Sequence, residues 1–227
     1  MKTQILYEDN HLLVVIKPVN VPVNADSSQD ADLMSELKSW LKEKYQKPGN
    51  VYLGLIHRLD RPVSGIMVFA KTSKAAGRLS EQVRSRQFEK IYHAVICARD
   101  LPKEDTLEDW LVKDSHTNTT RIADPKTPGA KKASLSYETV ETKNGLTLVR
   151  IKLDSGRSHQ IRVQFASRSF PLWGDQRYNP EAVSGQQIAL CATGLCFLHP
   201  VTKEKMKFAI DLPDRYPYTE FTQKKTA

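Results

Sequence analysis

Cysteine is scarce in this chain: there are three, Cys97, Cys191 and Cys196, with no C-x-x-C pair. An odd count at such spacing excludes both a disulfide framework and a zinc site of the usual kind, and leaves these residues as small buried hydrophobes. Long apolar runs are missing too. None approaches the ~18 residues of a membrane-spanning helix. The opening Met-Lys-Thr-Gln-Ile-Leu-Tyr-Glu-Asp has neither the apolar core of a signal peptide nor the Arg/Ser character of a transit peptide, which points to the cytoplasm. No G-x-x-x-x-G-K-[ST], G-x-G-x-x-G, G-x-S-x-G or H-E-x-x-H occurs, so phosphate-loop, nucleophile-elbow and zinc-peptidase chemistries drop out. Acid is the charge in short supply. Against 34 Lys and Arg stand 26 Asp and Glu, a net charge of +8 over 227 residues, and an excess of that size favours a polyanionic partner.

What the chain does have is a series of short apolar runs bounded by turn formers. Ile5-Leu6-Tyr7 and Leu12-Leu13-Val14-Val15-Ile16 suit two strands joined at Glu8-Asp9-Asn10-His11. Asp32 caps an amphipathic helix through Leu33, Leu37, Trp40 and Leu41 that stops before Pro48-Gly49. A second helix begins near Thr72-Ser73 with Ala76, Leu79 and Val83 on one face. Residues 88–97 alternate as a half-buried strand, with Phe88, Lys90, Tyr92, Ala94 and Ile96 sharing a face. Residues 114–132 are polar and suit a loop or hairpin tip. Residues 133–140 and 146–153 pair about Asn144-Gly145, a strong hairpin turn. Residues 156–166 suit the start of a helix, although a strand also fits; 188–192 and 206–210 supply late strands. Irregular alternation of hairpins and helices argues for an α+β fold with a large mixed, mostly antiparallel sheet flanked by helices and loops. No composition break divides the chain, so a single domain over 1–227 is expected, fraying from about 218.

One constellation stands out. Between the apolar runs Leu53-Gly54-Leu55-Ile56 and Ile66-Met67-Val68-Phe69-Ala70 lies His57-Arg58-Leu59-Asp60-Arg61-Pro62-Val63-Ser64-Gly65. Asp60 sits between two arginines, which favour its ionised form and would repel a metal cation. A lone carboxylate with no partner acid suits nucleophilic attack better than glycoside hydrolysis by paired acids. A structural ion pair in a turn is the other reading of the same residues.

Three motifs in order bear a resemblance. His57-Arg58-Leu59-Asp60-x-x-x-Ser64-Gly65 resembles the H-R-L-D-x-x-T-S-G signature of RNA pseudouridine synthases of the RluA family. Lys90-Ile91-Tyr92-His93-Ala94-Val95 is similar to that family's K-x-Y-x-A-x-V strand, and Gly156-Arg157-Ser158-His159-Gln160-Ile161-Arg162-Val163 to its G-R-T-H-Q-I-R-V segment. Ile5 to Pro18, Gly174-Asp175-x-x-Tyr178 and His199-Pro200-x-Thr202 follow the expected order. The departures are Pro62-Val63, where a polar residue and Thr are usual, and Gln164 in place of His.

The resemblance implies a pseudouridine synthase-like fold and isomerisation of uridine in structured RNA, ribosomal or transfer, with no cofactor and no metal. Asp60 takes the place of the family's catalytic aspartate, Tyr92 of the tyrosine under the target base, and Arg162 of the arginine paired with the aspartate. Arg58 takes that of the arginine holding the flipped-out nucleotide; His57, His159 and Ile161 join it on the substrate side, His159 also suiting a structural hydrogen bond. Attack on the sugar, attack on the base, and elimination to a glycal with Tyr92 receiving the C2′ proton all fit this set. The chain is expected to hold the catalytic domain only, without the small S4-like RNA-binding domain that many relatives carry in front, and to act as a monomer. A non-catalytic RNA-binding or ribosome-assembly protein on the same fold is the alternative.

Overall fold

The computed structural model describes residues 3–26 and 28–221. In chain order the elements are β1 (Gln4–Glu8), β2 (Leu12–Lys17), α1 (Leu33–Lys44), β3 (Gly54–Leu55), β4 (Ser64–Ala70), α2 (Ser73–Arg84), β5 (Glu89–Ile96) and β6 (Glu104–Asp114). There follow β7 (Thr119–Ala123), β8 (Lys131–Lys143), β9 (Leu146–Leu153), α3 (Gln160–Ala166), β10 (Leu190–Leu198), β11 (Lys205–Ala209) and a 3-10 turn, Tyr218–Glu220. The class is α+β, and the named pairings are antiparallel. The contacts divide the chain into two compact units, residues 1–89 with 194–210, and residues 90–193 with 211–227.

The first unit is built on β2 and β4, paired in register from Leu12↔Ala70 to Lys17↔Gly65. Leu12, Val14, Ile66 and Val68 share one face and join Ala75, Leu79, Phe88, Leu195 and Phe197 in a core cluster. Neighbouring Leu13, Val15, Met67 and Phe69 are buried on the other, which is why both strands are unbroken apolar runs rather than alternating ones. Helix α1 is capped by Asp32, whose carboxylate accepts from Ser35 N at 3.0 Å. It buries Leu33, Leu37 and Leu41 at helical spacing. Trp40 stays half-buried, with the Lys44 ammonium 4.7 Å from its ring centre. Helix α2 starts at the Thr72 cap and buries Ala75, Leu79 and Gln82. The expected Ala76 and Val83 pack half-buried against the same core as Leu79, and the buried Gln82 amide spans the backbone of Leu198, donating to its O and accepting from its N, both at 2.8 Å. His199 ties off the β1–β2 turn. Its Nδ1 accepts from Thr202 N at 3.0 Å, and its Nε2 lies 2.8 Å from Asp9 Oδ2.

The second unit pairs β5, β9, β8, β6 and β7 in that order. The β8–β9 turn at Asn144 (φ 53°) and Gly145 (φ 80°) is the left-handed pair that the Asn-Gly sequence demands. The polar stretch 114–132 proves to be partly strand: β7 pairs with β6 from Trp110↔Ala123 to Asp114↔Thr119, leaving residues 115–118 as the tip. Its strand pattern is hard to see because Thr119–Ala123, an edge strand, carries Ile122 as its single large apolar residue. Helix α3 settles the ambiguity at 156–166 in favour of a helix, with Ile161, Val163 and Phe165 buried and Phe165 packed 5.1 Å from Tyr137, ring centre to ring centre. The expected fray from 218 does not begin there. Tyr218 is fully buried, Phe221 is buried, and the Arg215 guanidinium donates to the carbonyls of Gln187 and Ile188. The remainder of that stretch, 222–227, lies outside the described residues.

Candidate active site

In the first unit the polar knot is the turn entering β4. Asp60 O accepts from Val63 N at 3.0 Å, closing a tight turn. Leu59 and Val63 are buried on either side of it, so the half-buried Asp60 is held by two apolar anchors. Val63 thereby explains the departure from a hydroxyl residue: the site is 2% exposed and apolar packing serves there. Arg58 is exposed. Arg61 points elsewhere, to Asp30 and Ser28 with Asp26 3.5 Å off, so it is committed to its own surface cluster.

A buried cation lies beneath this turn. Lys17 is fully buried, and its ammonium donates to Arg61 O at 2.9 Å, Val21 O at 2.7 Å and Pro18 O at 2.9 Å. Three N–H donors meet three carbonyls, which is what a buried ammonium requires. Burial pushes its pKa down to about 7, against the opposing pull of the Asp60 charge. The signal available was a lysine at the end of an otherwise apolar strand, just before Pro18. His57 is turned inward: its Nε2 accepts from Val68 N at 3.2 Å and its ring meets Phe88 edge-on at 5.4 Å.

In the second unit, Tyr92 sits on β5 opposite Ile151, 6% exposed, and shares its strand face with buried Ala94 and Ile96 as the alternation predicts. Lys90 is on that face too; burial lowers its pKa, with the Asp154 charge opposing and Arg157 adding. Arg162, on α3, is buried and meets Asp175 edge to edge, Nε to Oδ2 at 2.9 Å and Nη2 to Oδ1 at 2.7 Å. Asp175 also accepts from Arg177 N and Tyr178 N. The Tyr178 ring lies 5.1 Å from the Arg162 guanidinium carbon. Its hydroxyl accepts from Thr120 N at 2.8 Å and lies 2.7 Å from His159 Nδ1. His159 occupies the left-handed position (φ 51°) before α3. Burial raises the Tyr178 pKa, moderated by Thr120 and Arg162. Ile161 is buried. The motif Gly174-Asp175-x-x-Tyr178 was visible in the sequence; that it grips Arg162 and His159 was not.

Several of the chain's arginines and lysines are bonded within the protein rather than free to face a polyanion. Lys71 pairs with Glu8 at 2.6 Å, Arg78 donates to Pro200 O, Arg168 pairs with Asp109 at 2.9 Å, and Arg177 donates to Thr117 O. The unusual Gln164 is fully buried and ties α3 to β6, donating to Leu107 O at 3.0 Å and Asp109 Oδ2 at 2.7 Å. Among the described residues no cluster of His, Cys, Asp or Glu could hold a metal ion, and no helix is long and apolar enough to cross a membrane.

These elements match known proteins. Residues 11–167, which include Asp60, Tyr92 and Arg162, match the RNA pseudouridylate synthase family. The chain is 34% identical over 227 residues to ribosomal large subunit pseudouridine synthase D of Neisseria meningitidis, covering 94% of this chain and 59% of that one. It is 31% identical over 204 residues to the RNA pseudouridine synthase YhcT of Bacillus subtilis, covering 88% of this chain and 65% of that one. It thus spans less than two thirds of either relative. The fold matches human RNA pseudouridylate synthase domain containing 4 with a TM-score of 0.77, at 22% identity over 93% of this chain and 89% of that one. The α+β fold is that of the pseudouridine synthases, and the chain belongs to the RNA pseudouridylate synthase family.

Proposed function

We propose that this chain isomerises specific uridines of structured RNA to pseudouridine, with Asp60 as the catalytic nucleophile. The observation that carries the reading is the turn itself. A carboxylate is held half-buried between apolar anchors, on a turn that a buried lysine fastens at the Arg61 carbonyl, inside the region matched to the family. That is the preorganisation a charged group needs to act at a developing positive centre.

The reaction breaks the C1′–N1 bond, turns the uracil and joins C1′ to C5. The proton lost from C5 is matched by one gained at N1, so neither metal nor cofactor is needed to balance it. Asp60 attacks or stabilises C1′, Tyr92 offers its ring to the detached base, and Arg162 orients the anion. Arg58, exposed beside the turn, contacts the flipped-out nucleotide, with His57, His159 and Ile161 supporting their own loops. A paired target must first leave its stack at a cost of a few kcal/mol, which basic contacts to flanking phosphates offset. Large-subunit ribosomal RNA is the first substrate to try, given the name of the Neisseria relative, ribosomal large subunit pseudouridine synthase D, and transfer RNA the second. The protein acts in the cytoplasm as a monomer.

Cellular RNA from a strain lacking the gene, incubated with wild type or Asp60→Ala protein and then mapped for pseudouridine, tests this. New pseudouridine at defined positions with wild type and none with the folded variant is expected. Equal levels with both would overturn the assignment.

A further inference from the structure

We propose that Asp175 is a positioning residue for Arg162, and that through the loop 174–178 the β6–β7 hairpin becomes a specificity-determining element for the RNA. The proposal rests on the catalytic reading above and adds two parts to it.

The ion pair comes first. Arg162 and Asp175 side chains are 5% and 0% exposed, and two charges so far from water persist only when their hydrogen bonds are filled. Asp175 fills them with the Nε and Nη2 of Arg162 and with two backbone N–H groups of its own loop. A planar fork gripped along its Nε–Nη2 edge has one orientation, and the side it presents to any second anion is Nη1. Asp175 thereby sets where the Arg162 charge points.

The same five residues grip the hairpin. The Tyr178 hydroxyl takes the N–H of Thr120 on β7, and Arg177 Nη1 donates to Thr117 O at 3.0 Å and to Asn118 O at the hairpin tip. The loop's path depends on Gly174 (φ 70°), where a Cβ would come within 2.9 Å of Gln187 O. Lys113, His116 and Arg121 are exposed on and beside the tip, while the Asp114 carboxylate is turned to its own loop, accepting from His116 N at 2.8 Å. The tip thus offers cationic and imidazole groups to phosphate, and its backbone is bonded to the loop that holds Arg162. RNA seated on the tip thus meets a surface that the loop 174–178 fixes in place.

The two parts separate kinetically on an unmodified transcript of large-subunit ribosomal RNA, using the full chain. Asp175→Asn keeps the shape and removes the charge; kcat falls about a hundredfold with KM within about twofold. Arg177→Ala leaves the ion pair and frees the tip; KM rises at least about fivefold with kcat held. If Asp175→Asn fails to fold, Asp175→Glu, which displaces the carboxylate by one methylene, shows the kcat loss in partial form. The NMR signal of the Arg162 Nε–H supplies a readout independent of turnover: slowly exchanging in wild type and in Arg177→Ala, unprotected in Asp175→Asn. An unchanged kcat or a still-protected Nε–H in Asp175→Asn overturns the first part, and an unchanged KM in Arg177→Ala overturns the second. Should wild type make no pseudouridine in any RNA, the catalytic reading fails by itself. The Nε–H signal then decides the role of Asp175, and the affinity of Arg177→Ala for the same transcript decides that of the hairpin.

Discussion

The ammonium of Lys17 donates to the backbone carbonyl of Arg61, 44 positions away, at 2.9 Å. One strand end thus fastens the turn that carries Asp60, and the fastening consists of charge held where water is excluded. Lys17→Met keeps the length of the side chain and leaves three carbonyls without a donor. The expected outcome is a loss of about 2–4 kcal/mol in urea unfolding and a larger proportional loss of pseudouridine formation than of RNA binding. A variant as stable and as active as wild type would remove Lys17 from the site.

The same lysine gives the protein a pH signature. Its pKa is lowered by burial to about 7 from the ordinary 10.5, so between those values the unfolded chain binds the proton and the folded chain releases it. Stability contributed at this position therefore rises with pH from about 7 upward, and below 7 the burial cost is present in full. Wild type should gain stability over Lys17→Met between pH 7 and pH 9; parallel curves would refute it.

His93 titrates on the acid side. Burial, reinforced by Arg150 and opposed by Glu138, lowers its pKa from 6.5 to about 4. The unfolded chain takes up this proton first, so stability is lost as pH falls from about 6.5 towards 4. Its Nδ1 lies 2.7 Å from Thr193 Oγ1. His93→Gln, which offers that hydroxyl an amide instead, should flatten the change in urea midpoint between pH 6.5 and pH 4.5. An undiminished acid slope would place the sensitivity in another group.

Gln82 makes two hydrogen bonds to the backbone of Leu198 from within a helix. Gln82→Met fills the same volume and offers neither. A cost of about 2–3 kcal/mol is expected, with hydrogen exchange at the Leu198 amide rising more than at the β2 amides. Uniform acceleration throughout the unit would count against a local anchor.

Tyr218 closes the chain's last described segment against β5, its hydroxyl donating to His93 O at 3.3 Å. Tyr218→Ala should cost about 3–5 kcal/mol through the cavity left behind, with proteolysis appearing first after residue 210. A melting temperature within a degree of wild type would show the segment to be dispensable.

What the sequence determined by itself was local. Runs such as Leu12-Leu13-Val14-Val15 and the Asn144-Gly145 turn state their strand or hairpin directly, because backbone preference and burial pattern act over a few residues. The three ordered motifs identified the family for the same reason: short stretches of fixed spacing carry it. The edge strand Thr119–Ala123 is not legible in the sequence, since an edge needs little apolar alternation, and nor is the anchoring of Tyr218, because the charged residues around it suit a tail while one buried aromatic holds the segment. Only the tertiary structure decided which charge meets which. Arg61 flanks Asp60 in sequence yet pairs with Asp30; Lys17 and Asp175, given no role beforehand, hold the Asp60 turn and Arg162. Charged side chains reach several ångströms in any direction, so their partners are chosen by how strands and loops are brought together in space.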